Sequence, residues 1–315
     1  MTNTANSRPF ESHRVTAMAL DPIHVGTGGT RLGRVDLSIV RDPVTRLPKI
    51  PGSSLAGVHR AYAALAKNRY PRCAGQGQEK PGSGGHCGQM DCPICTVFGF
   101  ARGQGGGFAG LAGFTDAQLL LFPVPTYRGP HWVTSPETLR AADIEPPTVE
   151  NDKVHLLEPD GHLNLGWLML EGTTIGDHAR LRGALDNLRV PDCVSKHIAI
   201  VSDQLFTHIV NSNLEVRTSV SIDPATGAAE EGALFTYEAL PRATILTWQV
   251  TCRNPIHFGT GQEQDKAVRT PRDVFEVVAE AQPYLEQLGI GGMGTRGMGR
   301  LRVLASADGT NSGPA

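Results

Sequence analysis

Residues 24–60 read HVGTGGTRLGRVDLSIVRDPVTRLPKIPGSSLAGVHR. The segment opens with a glycine-rich loop, passes a single acidic residue at Asp36, and turns at Pro51–Gly52–Ser53–Ser54. Before it, residues 14–20 are apolar enough for a strand; within it, 36–40 (DLSIV) predicts a second strand. Ser53 or Ser54 can cap a helix over 54–67, on which Leu55, Val58, Tyr62 and Leu65 recur at helical spacing. Strand, glycine loop, strand and capped helix in that order point to an α+β chain. They also set a lone carboxylate beside a candidate phosphate cradle. Free backbone donors, the two hydroxyls and the helix dipole converge at 53–54, with Lys49 and Arg60 flanking. Asp36 suits either a salt bridge to Arg34 or Arg41, or chemistry on a bound phosphodiester through a divalent metal or a 2′-hydroxyl.

Charge is distributed in keeping with that pairing. The 315-residue chain carries a net charge of −2, so it is no polycation. Yet between Arg31 and Arg72 nine Lys and Arg face only Asp36 and Asp42. A basic patch on a near-neutral protein fits one dedicated polyanion surface, or a solvated basic face. Hydrophobic content of 40% and charged content of 19% fit a globular domain, and 37 glycines with 22 prolines imply many turns. No apolar run is long enough to span a bilayer, and the first residues lack the apolar core of a signal peptide, so the expected location is the cytoplasm with no membrane partner.

Cys73, Cys87, Cys92 and Cys95 are spaced C-x13-C-x4-C-x2-C, with His86 adjacent. In a reducing compartment such spacing reads as a structural Zn²⁺ site rather than disulfides, with His86 able to replace one cysteine. Cys193 and Cys252 stand alone and are expected in the core. No HExxH or GxSxG pattern supports a metalloprotease or a serine hydrolase.

Farther along, 113–123 returns to strand character, and Ser135–Pro136–Glu137 starts a helix with proline at its first position. Residues 141–165 read as an acidic loop. Residues 216–222 and 233–238 flank DPATGAAEEG as a long hairpin. ILTWQVTCR (245–253) alternates as a strand, and a helix over 271–287 follows. Then comes GIGGMGTRGMGR (289–300), where Gly291, Gly292 and Gly294 allow close backbone approach to phosphates and Arg296 and Arg300 add charge. DPIHVGTGG (21–29) is echoed by NPIHFGTGQ (254–262), which is either one loop type used twice or a duplicated strand–loop element.

Taken together, IHVGTG…GRVDLSIVRDP…PKIPGSSLAG and GIGGMGTRGMGRL resemble the N-terminal signature and C-terminal glycine loop of the repeat-associated mysterious protein (RAMP) superfamily. The likeness is to the backbone subunit of type III CRISPR–Cas effector complexes. GFTDAQLLLFPVPTYRGPHWVTSPETL and VRTSVSIDPATGAAEEGALFTYEALP are similar to the Cmr (type III-B) form, whereas CPICTVFG resembles the Csm (type III-A) form. A lysine usual after Ser-Ser-Leu is replaced by Ala56.

The resemblance implies an RRM-like (ferredoxin-like) core over 1–305, with a zinc-binding, glycine-rich insertion at 70–110, a thumb hairpin within 205–242, and a disordered tail at 306–315. It implies copies stacked as a filament on crRNA, in company with the other subunits. Asp36 would be the catalytic aspartate, cleaving complementary target RNA with Mg²⁺ or Mn²⁺. His24, Lys49, Ser53, Ser54, Arg60, Gly291, Gly292, Gly294, Arg296 and Arg300 are the expected RNA contacts, and Cys73, Cys87, Cys92 and Cys95 the zinc ligands.

Overall fold

The first strand is buried on both faces over 13–17, and the architecture explains why. The structure, a computed structural model, describes residues 8–28, 35–75, 85–101, 107–230, 234–258 and 267–308. In chain order the elements are β1 (Phe10–Ala19), α1 (Gly52–Ala66), α2 (Pro93–Phe98), β2 (Ala112–Phe114), β3 (Gln118–Thr126), β4 (Gly129–Thr134) and α3 (Pro136–Ala141). Next come β5 (Lys153–Leu156), β6 (His162–Leu165), β7 (Leu168–Thr174), α4 (His178–Asn187), α5 (Asp192–Ser195), β8 (Ile198–Ile200) and α6 (Asp203–Ser212). The last are β9 (Glu215–Ser219), β10 (Phe235–Ala239), β11 (Ile245–Arg253), α7 (Pro271–Ala279), α8 (Gln282–Leu288) and β12 (Leu301–Asp308).

β1 lies between β11 and β12, antiparallel to both, and β11 continues to β2 and β3. The order β12-β1-β11-β2/β3, with α1 following β1 and α7–α8 following β11, is the ferredoxin-like arrangement of two βαβ halves. The two PIH loops leave β1 and β11, the equivalent strands of those halves, so the sequence echo maps onto the fold's internal repeat; residues 259–262 of the echo lie outside the described residues.

Alternate residues of β1 feed two cores. Val15, Ala17 and Ala19 pack with Leu55, Trp248, Val250, Val274 and Leu285 beneath the helices. Met18 and Leu304 turn to the other face, against Leu139, Ile144, Leu181 and Leu185. On that second face Arg14 donates to the Ala141 carbonyl (2.8 Å) and pairs with Asp143. The sheet face opposite the core helices is therefore covered at its centre. The cover belongs to a second lobe, in which β4, β8, β5, β7 and β6 extend the same sheet.

That lobe is the main departure from expectation. Residues 141–165 contain β5 and β6, whose Val154, Leu156, Leu163 and Leu165 are buried. Four-residue strands among acidic and proline residues give too little periodicity to be recognised. Other boundaries shift. Residues 36–40 form isolated bridges rather than a strand: Leu37 to Tyr237 and Ile39 to Gly26. The helix expected over 271–287 breaks at 280–281, where Pro283 in the first turn of α8 supplies no N–H to continue the ladder. β12 runs to Asp308, into the segment expected as a disordered tail, because Thr16 pairs with Ala305 and Val15 with Ser306. Residues 309–315 lie outside the described residues.

The helix α7 that covers β1 and β11 is fixed at its start by a capping box: the Thr270 hydroxyl accepts from Asp273 N–H (3.2 Å), and the Asp273 carboxylate accepts from Thr270 N–H (3.0 Å). Thr270→Ala removes the hydroxyl that accepts from Asp273 N–H, keeps the main-chain donor to the Asp273 carboxylate, and is expected to lower stability by about 1 kcal/mol. A urea-unfolding midpoint equal to wild type would show that the box contributes nothing.

Candidate functional site

β9 and β10 form a two-stranded hairpin apart from the main sheet, paired from Glu215↔Ala239 to Ser219↔Phe235. Residues 231–233 near its tip lie outside the described residues. The hairpin's free edge is taken up by residues 36–39: Leu37 N–H donates to the Thr236 carbonyl (3.1 Å) and Glu238 N–H to the Leu37 carbonyl (3.0 Å). Asp36, fully exposed, is tied to the same strand. Its Oδ2 accepts from the Thr236 N–H (2.7 Å) and from the Thr236 hydroxyl (2.9 Å). The Thr236 main-chain donor first, then its hydroxyl, holds the Asp36 carboxyl below the usual carboxylate range, so this group is an anion at neutral pH.

Arg41 closes the underside of this edge. Its guanidinium donates to Glu238 Oε2 (2.9 Å), Asn211 Oδ1 (2.9 Å) and the Ile39 carbonyl (3.2 Å). The Arg41–Glu238 pair is mostly shielded from water and links the Asp36 segment to the hairpin and to α6. The sequence offers Arg41 as a salt-bridge partner for Asp36, whereas the structure pairs it with Glu238. No local pattern in the sequence points to Thr236, Glu238 or Asn211, since each lies 170 to 200 residues from its partner.

His24 and the C-terminal glycine loop meet beside the hairpin. His24 is buried, with Nδ1 2.6 Å from the Glu238 carbonyl and its ring edge-on to Tyr237. Its carbonyl accepts from Gly292 N–H (2.8 Å). A side chain at Gly291, where φ is +89°, would place Cβ 2.4 Å from the His24 oxygen, so that glycine is required for packing. His24 is thus a buried support rather than an open contact. Gly292, Gly294 and Arg296 face solvent, and Arg296 reaches Ser219 on β9 (3.4 Å). Arg300 is paired with Asp21 (2.5 Å).

The start of α1 is more occupied than expected. Pro51 stands at the N-cap, and neither Ser53 nor Ser54 makes a capping bond. The Asp116 carboxylate instead accepts from Gly52 N–H (2.8 Å), filling the anion position at this helix end. Lys49 neutralises that carboxylate at 2.7 Å and lies 3.5 Å from Asp42. Ser53 remains exposed.

The four cysteines do converge. Ligand atoms of Cys73, Cys87, Cys92 and Cys95 all lie within 4.8 Å of one another, and all are free thiols. Tetrahedral zinc with Zn–S bonds of about 2.3 Å needs S–S edges of about 3.8 Å, so the donor set fits such an ion. A hydrogen bond with Cys95 holds the Cys92 thiol down at about 5, while Cys92 in turn pushes Cys95 up.

Arg60, expected at the RNA, is buried in this module. It donates to the carbonyls of Cys73 (2.7 Å) and Gly99 (2.7 Å) and to His86 Nδ1 (2.7 Å). Burial lowers its pKa against the opposing field of the cysteine sulfurs. His86 is thereby spent on Arg60, which leaves the four sulfurs as the donor set. Cys252 is buried as expected, whereas Cys193 is exposed.

A family model described as the RAMP superfamily matches residues 16–302. The CRISPR system Cmr endoribonuclease Cmr4 of Pyrococcus furiosus is 27% identical over 256 residues, covering 75% of this chain and 80% of that protein. Two solved structures share the fold. A type III-B Cmr-beta complex bound to cognate target RNA contains a chain with TM-score 0.61 at 17% identity, covering 94% of this chain and 99% of that one. Oligomeric Cmr4 from Pyrococcus furiosus gives 0.59 at 20% identity, covering 95% and 98%. With the family match running from β1 into β12, across both halves of the core and the lobe between them, the chain belongs to the RAMP superfamily.

Proposed function

We propose that this chain is a crRNA-binding backbone subunit of a type III CRISPR effector complex, nearest the Cmr form, and that it cleaves complementary target RNA. The observation that carries the reading is the placement of Asp36: an exposed, ionised carboxylate fixed at the base of a projecting hairpin, beside an exposed glycine loop and Arg296. The name of the Pyrococcus relative, an endoribonuclease, and the target-RNA complex formed by a protein of the same fold support it. The hairpin β9–β10 acts as the thumb that separates guide–target segments, and copies of the chain stack along the guide with the other subunits.

Cleavage proceeds by attack of a ribose 2′-oxygen on the adjacent phosphorus. The P–O5′ bond breaks as the new P–O2′ bond forms, giving a cyclic phosphate and a 5′-hydroxyl, and the 2′-hydroxyl proton leaves as the 5′-oxygen gains one. Asp36 supplies fixed negative charge beside the 2′-hydroxyl. Among the described residues Asp36 belongs to no group of three or more side chains able to ligate a metal. A Mg²⁺ or Mn²⁺ ion would therefore be held by Asp36 together with RNA phosphates, in keeping with magnesium's habit of using few protein ligands. When bound, it would offset the charge that develops on the phosphoryl oxygens.

RNA is recognised by backbone and shape rather than by base edges. The covered sheet centre directs it to the hairpin side, where Gly292, Gly294 and Arg296 remain exposed; Ser53 is exposed at the start of α1. Lys49 and Arg300 contact RNA only by sharing their charge with Asp116 and Asp21. The cysteine module is a structural zinc centre whose net charge of about −2 is partly balanced by Arg60.

In the assembled complex with Mg²⁺ or Mn²⁺, wild type is expected to cut complementary RNA at regular intervals, and Asp36→Ala to abolish the cuts with guide retained. Cuts retained in Asp36→Ala would remove that residue from the chemistry; no cuts in either protein would leave a structural guide-binding subunit. Elemental analysis is expected to find about one zinc per chain, lost in Cys92→Ser. Because Arg60 is enclosed by the module, Arg60→Gln is expected to loosen zinc while leaving the salt dependence of guide binding unchanged. A flatter salt slope would return Arg60 to the RNA surface.

A further inference from the structure

Every polar group of Thr236 is spent on residues 36 and 37. Its N–H and its hydroxyl both donate to Asp36 Oδ2, its hydroxyl accepts from Asp36 N–H (3.2 Å), and its carbonyl accepts from Leu37 N–H. A hydroxyl has one proton and two lone pairs, so it alone can donate to the carboxylate while accepting from the same residue's main chain. The result is a closed ring that fixes both the backbone and the side chain of Asp36. A β-branched threonine is stiff at χ1, which keeps the hydroxyl aimed. Among the described residues, Asp36 Oδ1 accepts no hydrogen bond from another residue. Nothing else described holds the carboxylate: the segment before it, 29–34, lies outside the described residues, and Arg41 is committed to Glu238.

We propose that Thr236 is a positioning residue for cleavage, clamping one oxygen of Asp36 so that the other is presented to the scissile ribose at the hairpin base. The inference rests on the assignment of Asp36 above and deepens it: the hairpin strand that meets the target also carries the group that aims the carboxylate. Displacing β10 by a bound duplex moves Asp36 with it, so reactive group and substrate keep a common frame. A carboxylate on a free rotor would lose that alignment, and misplacements of about 1 Å cost on the order of a hundredfold in rate.

The deciding experiment is single-turnover cleavage of complementary RNA by assembled, guide-loaded complex, comparing wild type with Thr236→Val, Thr236→Ser and Asp36→Ala across about pH 3 to 8. Valine keeps the shape, the β-branch and the main-chain N–H but removes the hydroxyl. It is expected to slow cleavage by about tenfold or more with target affinity unchanged. Losing a donor also lets the Asp36 pKa rise towards its ordinary value, so the acid limb of the pH–rate profile moves to higher pH. Thr236→Ser restores both rate and profile.

A purely structural role for Thr236 predicts a different pattern: weakened target or guide binding, no displacement of the acid limb, and no rescue specific to the hydroxyl. That pattern, or a wild-type rate and profile in Thr236→Val, overturns the proposal while the loss of cleavage in Asp36→Ala leaves the Asp36 assignment standing. Cleavage retained in Asp36→Ala removes both together.

Discussion

The antiparallel pairing of β1 with β11, nine residue pairs from Phe10↔Arg253 to Met18↔Ile245, is the constraint on which the site depends. It sets the end of β1 beside the start of β11, and β12 begins on the other side of that same end. Whatever follows β1, precedes β11 and precedes β12 must therefore meet there. Those segments are the His24 loop, the β9–β10 hairpin and the glycine loop at 289–300. The hydrogen bonds from His24 to Glu238 and from Gly292 to His24 are what that convergence looks like at atomic distance. A site drawn from parts of the chain some 200 to 270 residues apart thus follows from strand order.

Convergence alone does not orient a carboxylate. Asp36 belongs to a stretch that is not a regular strand, and what holds it is the unpaired edge of β10. An open strand edge is usually a liability because it templates unwanted pairing. Here residues 36–39 satisfy that edge, and the Arg41–Glu238 pair locks the junction from below. The same hydrogen bonds that quiet the edge give the exposed carboxylate a fixed address and a lowered pKa.

A second economy concerns cations. Among the described residues, several cations are employed within the protein: Arg41 with Glu238, Lys49 with Asp116, Arg60 with the cysteine module, Arg300 with Asp21. The Arg60 case follows from electrostatics. A buried guanidinium is costly without compensation, and the four neighbouring cysteine sulfurs act against that cost. Backbone of the glycine loop, with Arg296 and Ser53, stays outward, as do Arg46, Arg69 and Arg72 of the basic stretch.

Sequence alone was sufficient for whatever is encoded locally. The alternation of 245–253 gave β11 at both boundaries, Ser135–Pro136 gave the start of α3, and the CPIC pair with two further cysteines gave a four-sulfur cluster that could hold a metal. Family signatures around 24–60 and 289–300 did the same for the superfamily and the core. Tertiary structure decided the rest. It turned Arg60 inward, buried His24, replaced the serine cap on α1 with Asp116, and built a second lobe out of residues 141–165 that read as loop. It also supplied Thr236. Charge and hydrogen-bonding capacity are properties of a residue and can be read from the chain. Which partner uses them depends on strands that are neighbours in space but hundreds of residues apart in sequence, and no local period records that.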